Sequence, residues 1–287
     1  MDNPRFGQSL LDDLANLTIT SHPLIEDFLY TPKVTMFAAD SGVGKSLIAT
    51  QMALSLSSAT TCFGVLSIPK PVRVYYLQLE GDYEEFIERM RLMREVIPLN
   101  ADNLCWDTTP VLNVLRDEHK EAVFKRIKKW GLPDLIIIDP IYRTVLGGLS
   151  KDEPASAFVQ FSSQLKDKFK CAQLLIHHTH RTSKDRDGQL IEEDDPFYGS
   201  QWLKAHVDVS YLIKAENQDR SASSLTNKKS RGANVLRFIS LEYHPESMTC
   251  SMRFTGNEGD VLSRVLNYIL LCKQSNKVTD FYEVARV

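Results

Sequence analysis

Apolar residues along the chain fall into two alternating patterns, continuous runs and helically spaced positions. Continuous runs of strand length, rich in β-branched and aromatic residues, predict buried strands at residues 33–38, 72–79, 134–139 and 172–177. Apolar positions at helical spacing predict a helix after residue 46 and further helices near 83–96, 117–130 and 155–169. Strands that alternate with helices predict a parallel sheet with helices on both faces.

The pattern changes after about residue 200. Short apolar runs separated by turn residues predict further strands at 207–213, 223–227, 235–239 and 248–252. Such strands extend a sheet in antiparallel fashion. The predicted fold class is therefore α/β, with a mostly parallel twisted sheet covered by helices and an antiparallel C-terminal edge.

Three segments are predicted along the chain. An N-terminal arm spans residues 1–30, a core domain 31–255 and a C-terminal helical segment 256–287. The arm carries one apolar helical face, which either folds back on its own domain or docks on a neighbouring subunit; its residues are Leu10, Leu11, Leu14 and Leu17. The last segment ends just after a predicted helix cap, which favours a truncated helical module.

Composition narrows the class of protein. The 287 residues are 43% apolar, with a net charge of −3 and a pI near 6.2, which excludes a generally basic nucleic-acid coat but allows local basic patches. The five cysteines form no C-x-x-C pair, so they predict reduced thiols and no zinc site. With no apolar run of membrane-spanning length and no signal-peptide pattern at the start, we expect a cytoplasmic protein without a membrane partner.

A glycine-rich loop lies between the first core strand and the first helix. It meets the pattern G-x-x-x-x-G-K-[ST] except that Ala39 replaces the first glycine. Backbone N–H groups of such a loop wrap a β-phosphate, Lys45 reaches the β- and γ-phosphates, and Ser46 holds Mg²⁺. The alternative is a turn with this sequence by coincidence. The predicted ATP-binding residues are Ala39, Asp40, Ser41, Gly42, Val43, Gly44, Lys45, Ser46 and Leu47.

Two acidic residues at strand ends complete the predicted catalytic chemistry. Asp139 ends the strand at 134–139, where it holds a water molecule on Mg²⁺ beside the loop. Glu80 follows the strand at 72–79, and its carboxylate orients the attacking water. An acid in this place favours a hydrolase over a kinase. The alternative for Glu80 is a plain surface residue.

Three histidines, His177, His178 and His180, lie at the end of the strand at 172–177 or just after it. An imidazole at that strand tip, from His177 or His178, can hydrogen-bond a γ-phosphate and report nucleotide state to the following segment. A metal site is disfavoured because no second group of ligands with suitable spacing accompanies the histidines.

Two polar loops are candidates for contact with a nucleic-acid backbone. Residues 181–195 carry basic side chains in their first half and four acids in their second, so a DNA channel and a solvated loop both fit. Residues 143–148 form a second candidate pore loop.

On the predicted C-terminal edge, Lys229 and Arg231 point the same way along a strand. They either act as arginine-finger-type residues that reach the γ-phosphate of an adjacent subunit or form a basic turn.

These motifs, in their order and spacing over about residues 22–245, resemble the RecA-fold hexameric ATPases, in particular RepA-like and DnaB-type replicative helicases. The motifs are Ala39 to Ser46, Glu80, Asp139, His177-His178, Gly199-Ser200-Gln201 and Lys229-x-Arg231. The resemblance implies that the core domain at 31–255 is a RecA-like ATPase core. It also implies a six-membered ring and ATP-driven movement of single-stranded DNA.

The resemblance further implies residue roles. Lys45 and Ser46 bind phosphates and Mg²⁺, Glu80 is the catalytic carboxylate and Asp139 is the Mg²⁺-side acid. His178 is the phosphate sensor. Lys229 and Arg231 act in trans, and Arg89 lies near the catalytic base. Ala39 and the acidic half of 181–195 depart from the family's pattern, and we expect no primase-interacting N-terminal domain.

The expected function is an ATP-hydrolysing oligomeric motor on single-stranded DNA, a homo-oligomer with replication or defence proteins as further partners. Two alternatives stay open. One is a recombination or repair ATPase that forms filaments without unwinding DNA. The other is a regulatory P-loop ATPase whose nucleotide state switches protein partners. A nucleotide kinase is disfavoured by Glu80 and by the pair Lys229 and Arg231.

Overall fold

The structure, a computed structural model, describes residues 21–108, 112–145, 148–149, 151–179 and 201–253. The predicted helical face at 8–17, the loop at 181–195 and the segment 256–287 lie outside the described residues.

Eleven strands and five α-helices are described, with 3₁₀ turns at Ala101–Asn103 and Ile141–Thr144. In chain order, the elements are β1 (His22–Ile25), β2 (Leu29–Thr31), β3 (Val34–Ala39), α1 (Lys45–Ser58), β4 (Val74–Gln78), α2 (Tyr83–Met93), β5 (Leu104–Asp107), α3 (Asp117–Trp130), β6 (Leu135–Asp139), α4 (Asp152–Phe169), β7 (Ala172–His178), α5 (Gln201–His206), β8 (Val209–Ala215), β9 (Ala222–Ser230), β10 (Phe238–His244) and β11 (Thr249–Arg253).

Nine strands form one sheet in the order β11-β10-β9-β8-β3-β7-β6-β4-β5. The six strands from β8 to β5 in this order run parallel to their neighbours. The last three strands of the described chain add on in antiparallel fashion beyond β8. The predicted fold class, a mostly parallel sheet with an antiparallel C-terminal edge, is confirmed.

Alternate residues of each central strand face opposite layers of helices. One face of β3, β4, β6 and β7 packs on α1, and the other packs on α3 and α4. On β6 the pattern places Leu135 and Ile137 on the α1 side, and the period of two carries Asp139 to that side as well. The acidic residue at the end of a buried strand thus faces the helix that follows the glycine-rich loop.

Strand β5, the β1–β2 hairpin and the short helix α5 were not predicted from the sequence. Strand β5 has four half-buried residues, Leu-Cys-Trp-Asp, with no β-branched residue to mark them. The β1–β2 hairpin lies within the segment predicted as an arm. Its turn residue Phe28 is buried with its ring centroid 5.8 Å from that of Phe37 and 5.0 Å from that of Tyr211. This hairpin therefore contributes to the same hydrophobic core as the sheet.

One predicted strand is displaced along the chain. The sequence predicted a strand over 235–239, whereas β10 begins at Phe238. The backbone before it takes other partners, since the N–H of Leu236 donates to the carbonyl of Asp27 at 2.8 Å. The apolar residues Val235 and Leu236 pack against the core from this connecting segment.

A single glutamine joins α1 to the outermost strand. The side-chain Nε2 of Gln51 donates to the carbonyl of Cys250 at 2.7 Å, and its Oε1 accepts from the N–H of Cys250 at 2.6 Å. Both bonds are buried, and β11 has a neighbouring strand on only one side among the described residues. Gln51 therefore takes the place of a missing strand for one residue of this edge.

Replacing Gln51 with Ala is expected to lower the free energy of unfolding by about 3 kcal/mol, because a buried N–H and a buried carbonyl both lose their partner. Urea unfolding followed by circular dichroism measures the change. The control is Gln160→Ala, which removes an exposed glutamine from α4 and should change stability by less than about 0.5 kcal/mol. Equal effects of the two substitutions would contradict this role for Gln51.

Candidate functional site

The carboxyl ends of the parallel strands meet at one edge of the sheet and surround a cavity. In the strand register, Ala39 pairs with His178 and Gln78 pairs with Asp139. The cavity has a volume of about 490 Å³, which is within the range of small-ligand sites. It is lined by the loop residues Ser41, Gly42, Gly44, Lys45, Ser46 and Leu47 and also by Glu80, Arg89, Asp139 and His178. The structure therefore brings most of the predicted site residues to one place.

The glycine-rich loop leaves the start of α1 open toward this cavity. Ala39 is the last residue of β3, so the position of the missing glycine has ordinary strand conformation. Gly42 and Gly44 have φ of +77° and +91°, values that L-residues with a side chain rarely adopt. Helix α1 begins at Lys45, and no side chain caps its first turn. Its N-terminal N–H groups and the helix dipole thus provide a site for an anion.

Lys45 is buried within the loop that it follows. Its Nζ donates to the carbonyl of Ala39 at 2.8 Å and to that of Asp40 at 2.6 Å. Burial lowers the pKa of the Lys45 amine from 10.5 to about 8, although Asp139, Asp40 and Glu80 act in the opposite direction. A buried amine whose hydrogen bonds go to carbonyl groups is a favourable partner for an anionic ligand.

Ser46 and Asp139 form a pair of oxygen donors beside Lys45. The Asp139 carboxylate accepts a hydrogen bond from the hydroxyl of Tyr76 at 2.5 Å, and the Ser46 side chain is near enough to lower the pKa of Asp139. Burial raises the pKa of Asp139 above its ordinary 3.8, despite these two donors and the nearby charges of Lys45 and Arg89. A carboxylate and a hydroxyl are ligands that a hard divalent cation prefers, so these side chains fit the predicted Mg²⁺ site.

Glu80 also lines the cavity, two residues past the end of β4. Its Oε2 accepts from the Tyr142 hydroxyl at 2.6 Å, and its Oε1 lies 3.4 Å from Nη2 of Arg143. Its backbone carbonyl accepts from Nε2 of Gln78 at 2.9 Å, and Oε1 of Gln78 accepts from Nε1 of Trp106 at 2.6 Å. The side chain that was predicted to activate water is thus held by the 3₁₀ turn after β6, and its backbone is held by Gln78 of β4.

His178 and Thr179 connect the end of β7 to the 3₁₀ turn after β6 and to the glycine-rich loop. The imidazole of His178 packs edge-on against the ring of Tyr142, with the ring centroids 5.2 Å apart. Burial lowers the pKa of His178 from 6.5, and Lys45 lowers it further, so the neutral imidazole is favoured. The Thr179 hydroxyl donates to the carboxylate of Asp40 in the glycine-rich loop. The end of β7 therefore contacts the phosphate-binding loop directly.

Arg89 reaches the cavity from α2. Its charge lowers the pKa of Asp139, so the two groups lie near one another. Its Nε is buried and has no hydrogen-bond partner among the described residues. A buried guanidinium donor without a partner is costly, and an anion in the cavity would satisfy it.

Arg220 is a site residue that was not predicted from the sequence. It lies in the turn between β8 and β9, and its Nη1 donates to the carbonyl of Gly42 at 2.8 Å. A Cβ at Gly42 would lie only 2.3 Å from this Nη1, so Gly42 also makes room for the guanidinium. Because 178 residues separate the two positions, no local pattern signals the contact.

Lys229 and Arg231 do not line this cavity. Lys229 pairs with Ser210, which pairs with Met36, so it lies three residues, roughly 10 Å, before Ala39 along the strand direction. The side chain of Lys229 donates to the carbonyl of Lys204, and Nη1 of Arg231 lies 3.4 Å from the carbonyl of Ala205. Both cations therefore contact the C-terminal end of α5.

A buried polar cluster fixes α5 to the rest of the chain. The Ser162 hydroxyl donates to Oε1 of Gln173 at 2.6 Å and lies 2.7 Å from Nε2 of His206. Since the hydroxyl hydrogen is used on Gln173, Nε2 of His206 is the donor to Ser162. Burial lowers the pKa of His206 to about 4, so the ring is neutral near pH 7. The helix whose end binds Lys229 and Arg231 is thus anchored to α4 and β7.

Two other classes of site are absent from the part of the chain that the structure describes. Among these residues, no group of three or more histidine, cysteine or acidic side chains has the arrangement of a metal site. His177 and His178 are included in that statement, whereas His180 lies outside the described residues. Within the same residues, no helix combines the length and the apolar character needed to cross a bilayer.

Comparisons with known proteins cover the sequence and the fold. A family model described as an AAA domain matches residues 2–184. No curated protein matches the sequence. The fold is similar to a solved structure whose title describes it as an ATPase domain, with 13% identity, a TM-score of 0.56 and coverage of 85% of this chain and 96% of that chain. It is also similar to the KaiC-like protein PH0186 from Pyrococcus horikoshii OT3, with 13% identity, a TM-score of 0.51 and coverage of 80% and 93%. These structures confirm the RecA-like fold.

The lowered pKa of Lys45 predicts a pH dependence of stability. Between about pH 8 and 10.5 the amine of Lys45 keeps its proton in the unfolded chain but has released it in the folded chain. The contribution of Lys45 to the free energy of unfolding therefore rises with pH over this range. Relative to a Lys45→Met variant, the wild-type free energy of unfolding should rise by at most about 1.4 kcal/mol per pH unit from pH 8 to pH 10. Urea unfolding at pH 7, 8, 9 and 10 measures this difference.

The matched control for this measurement is Lys128→Met, which changes an exposed lysine on α3. This variant should keep the pH dependence of the wild type. If Lys45→Met and the wild type change in parallel across the range, the amine of Lys45 has an ordinary pKa and the interpretation is wrong.

Proposed function

This chain belongs to the AAA domain family, and from that premise we propose that it is an ATP-hydrolysing oligomeric motor that acts on single-stranded DNA. The AAA family model and the RecA-like fold support a P-loop ATPase, and the motifs quoted above, which resemble those of DnaB-type helicases, support the finer assignment. The nucleotide, the reaction at the site and the action on DNA are parts of the proposal.

The observation that carries the ATPase proposal is the arrangement of charges around one cavity. Lys45, Asp139 and Glu80 come from three different parts of the chain, and all three line the cavity beside the open N-terminus of α1. Lys45 supplies buried positive charge, and Arg89 supplies a buried Nε donor without a described partner. A triphosphate supplies the anionic oxygens that these donors lack.

Mg²⁺ is the cation that this ligand set fits best. The Ser46 hydroxyl and the Asp139 carboxylate would hold it. When bound, the cation neutralises charge on the β- and γ-phosphate oxygens. The pairing of Ser46 with Asp139 in the present structure keeps the two oxygen donors together.

Hydrolysis then requires an attacking water and groups that stabilise the transferred phosphoryl. Glu80 orients the water and accepts its proton while the oxygen–phosphorus bond forms. The bond from the γ-phosphorus to the bridging oxygen breaks, and its electron pair leaves with ADP. Lys45 stays on the β- and γ-phosphates, and neutral His178 hydrogen-bonds a γ-phosphate oxygen. His178 also contacts Tyr142, so loss of the γ-phosphate changes the environment of a residue bound to Glu80.

Glu80→Gln is expected to retain ATP binding and to lose turnover by about 100-fold or more, because an amide keeps the shape but accepts no proton from water. A filter-binding or calorimetric assay gives the affinity for ATP, and phosphate release gives kcat. The control is Glu95→Gln, the same change at an exposed position past the end of α2. Full activity in Glu80→Gln would remove Glu80 from the catalytic role.

The oligomeric part of the proposal rests on Lys229 and Arg231. Neither residue lines the cavity of its own chain. Both lie toward the other end of the sheet, where their side chains contact the carbonyls at the end of α5. We propose that they extend from there to the γ-phosphate of an adjacent subunit, within a ring that is most simply a hexamer. Such an arrangement makes hydrolysis depend on assembly.

The DNA-binding part rests on the sequence, with basic residues in the first half of the loop 181–195 as the proposed contact. In a ring these residues would follow the backbone of a strand in the centre. The partners proposed beyond DNA are proteins of replication or defence. The proposed compartment is the cytoplasm.

Single-stranded DNA is expected to raise the ATPase rate several-fold, and the effect should decline as salt rises from about 50 to 300 mM because backbone contacts release counterions. The rate is measured with and without an oligonucleotide strand. Native mass measurement with a nonhydrolysable ATP analogue should give six chains. An ATPase rate independent of DNA, with no salt-sensitive DNA binding, would favour a regulatory ATPase. Hydrolysis stimulated by DNA without separation of a forked duplex would favour a recombination or repair ATPase.

A further inference from the structure

Tyr142 lies between two residues of the proposed reaction, and neither the sequence nor the resemblance assigned it a role. Its hydroxyl donates to Oε2 of Glu80 at 2.6 Å, and its ring contacts the imidazole of His178 edge-on. It therefore touches the predicted water-activating acid and the predicted phosphate sensor at once.

Buried residues and hydrogen bonds hold the 3₁₀ turn that carries Tyr142 in place. Ile141 and Thr144 are fully buried, and the Thr144 hydroxyl donates to the carbonyl of Ile141 at 2.6 Å. The Thr144 carbonyl in turn accepts from the N–H of Val114 at 2.9 Å. These contacts leave the side chains of Tyr142 and Arg143 on the side of the site. A phenol has few rotatable bonds, so this anchoring also restricts where its hydroxyl can lie.

The two oxygens of the Glu80 carboxylate are in different situations. Oε2 has a short bond from Tyr142, whereas Oε1 has only a 3.4 Å contact from Arg143. The Arg143–Glu80 pair is weak, since the side chains are 52% and 39% exposed. Among the described contacts of Glu80, the phenol is thus the stronger constraint on the carboxylate, and it leaves Oε1 as the oxygen open to a water molecule.

We propose that Tyr142 is a positioning residue for ATP hydrolysis, which orients Glu80 by binding Oε2 so that Oε1 receives the proton of the attacking water. This inference rests on the proposed ATPase function. In the step concerned, the water oxygen bonds to the γ-phosphorus, the bond to the bridging oxygen breaks with its electron pair on ADP, and the proton moves to Oε1 of Glu80. Tyr142 keeps its own proton throughout, because burial and the Glu80 contact both raise the pKa of its phenol.

Tyr142→Phe keeps the ring against His178 and removes the hydroxyl alone. We expect kcat to fall about tenfold, with KM for ATP and the affinity for a nonhydrolysable analogue within about twofold of the wild type, because the lost bond acts on the water-activating acid and not on the nucleotide. Tyr30→Phe is the matched control. It removes a hydroxyl that donates to the carbonyl of Asn234 at 2.8 Å, outside the cavity, and should leave kcat unchanged.

A double substitution distinguishes positioning of Glu80 from a general structural effect. If Tyr142 acts through Glu80, adding Tyr142→Phe to Glu80→Gln should leave the residual rate unchanged. A further tenfold loss in the double variant would overturn the proposal, as would a wild-type kcat or a raised kcat in Tyr142→Phe alone. A rise in KM that matches the fall in kcat/KM would overturn it too. Melting temperatures of all variants check that the fold is intact.

The same set of proteins separates failure of this inference from failure of the proposed function. If the wild type hydrolyses no ATP in any assembly state, with or without DNA, the ATPase proposal fails and the role of Tyr142 fails with it. If the wild type hydrolyses ATP and Glu80→Gln does not, a wild-type rate in Tyr142→Phe rejects the positioning role alone.

Discussion

Parallel register between β3, β7, β6 and β4 is the constraint on which the whole site depends. It places Ala39 beside His178 and Asp139 beside Gln78, so the segments that follow these strands all begin at one edge of the sheet. Had one strand run in the opposite direction, its terminal side chain would lie roughly 15 Å away, at the other end of a five-residue strand. The hydrogen-bonded sheet thus determines which residues meet, and the loops determine how they are aimed.

The burial of charged groups determines the chemistry of this site. Burial lowers the pKa of Lys45 and raises that of Asp139, so each group is held in a place that opposes its charged form. Each also favours the charged form of the other. Such a site destabilises the fold locally and is stabilised by a ligand that brings both negative oxygens and a cation. The buried Nε of Arg89, which has no hydrogen-bond partner among the described residues, is a further donor that an anion would satisfy.

Much of this arrangement could be predicted from the sequence because it depends on local patterns. The glycine-rich loop between a strand and a helix, the acid that ends an apolar run and the period of two along β6 are all visible within about ten residues. Residues brought together from distant segments could not be predicted in this way. Arg220 and Tyr142 contact Gly42 and Glu80 across 178 and 62 residues, and Trp106 lies on a strand of four residues without β-branched character. The residues that could not be predicted are therefore mostly those that orient the predicted site residues.

The position of Lys229 and Arg231 follows from the antiparallel extension of the sheet. Strand β9 runs back from the nucleotide edge, so its first residues pair with Ala215 near that edge and its last residues pair with Val209 near the opposite one. One hairpin therefore carries basic residues to both ends of the sheet: Arg220 in its turn contacts the chain's own phosphate-binding loop, and Lys229 and Arg231 emerge at the other end. A lysine side chain spans only about 6 Å, which is less than the roughly 10 Å along the strands and the two strands sideways that separate Lys229 from Ala39. This separation supports the proposed role of Lys229 in trans, because it places the side chain out of reach of the phosphate-binding loop of its own chain.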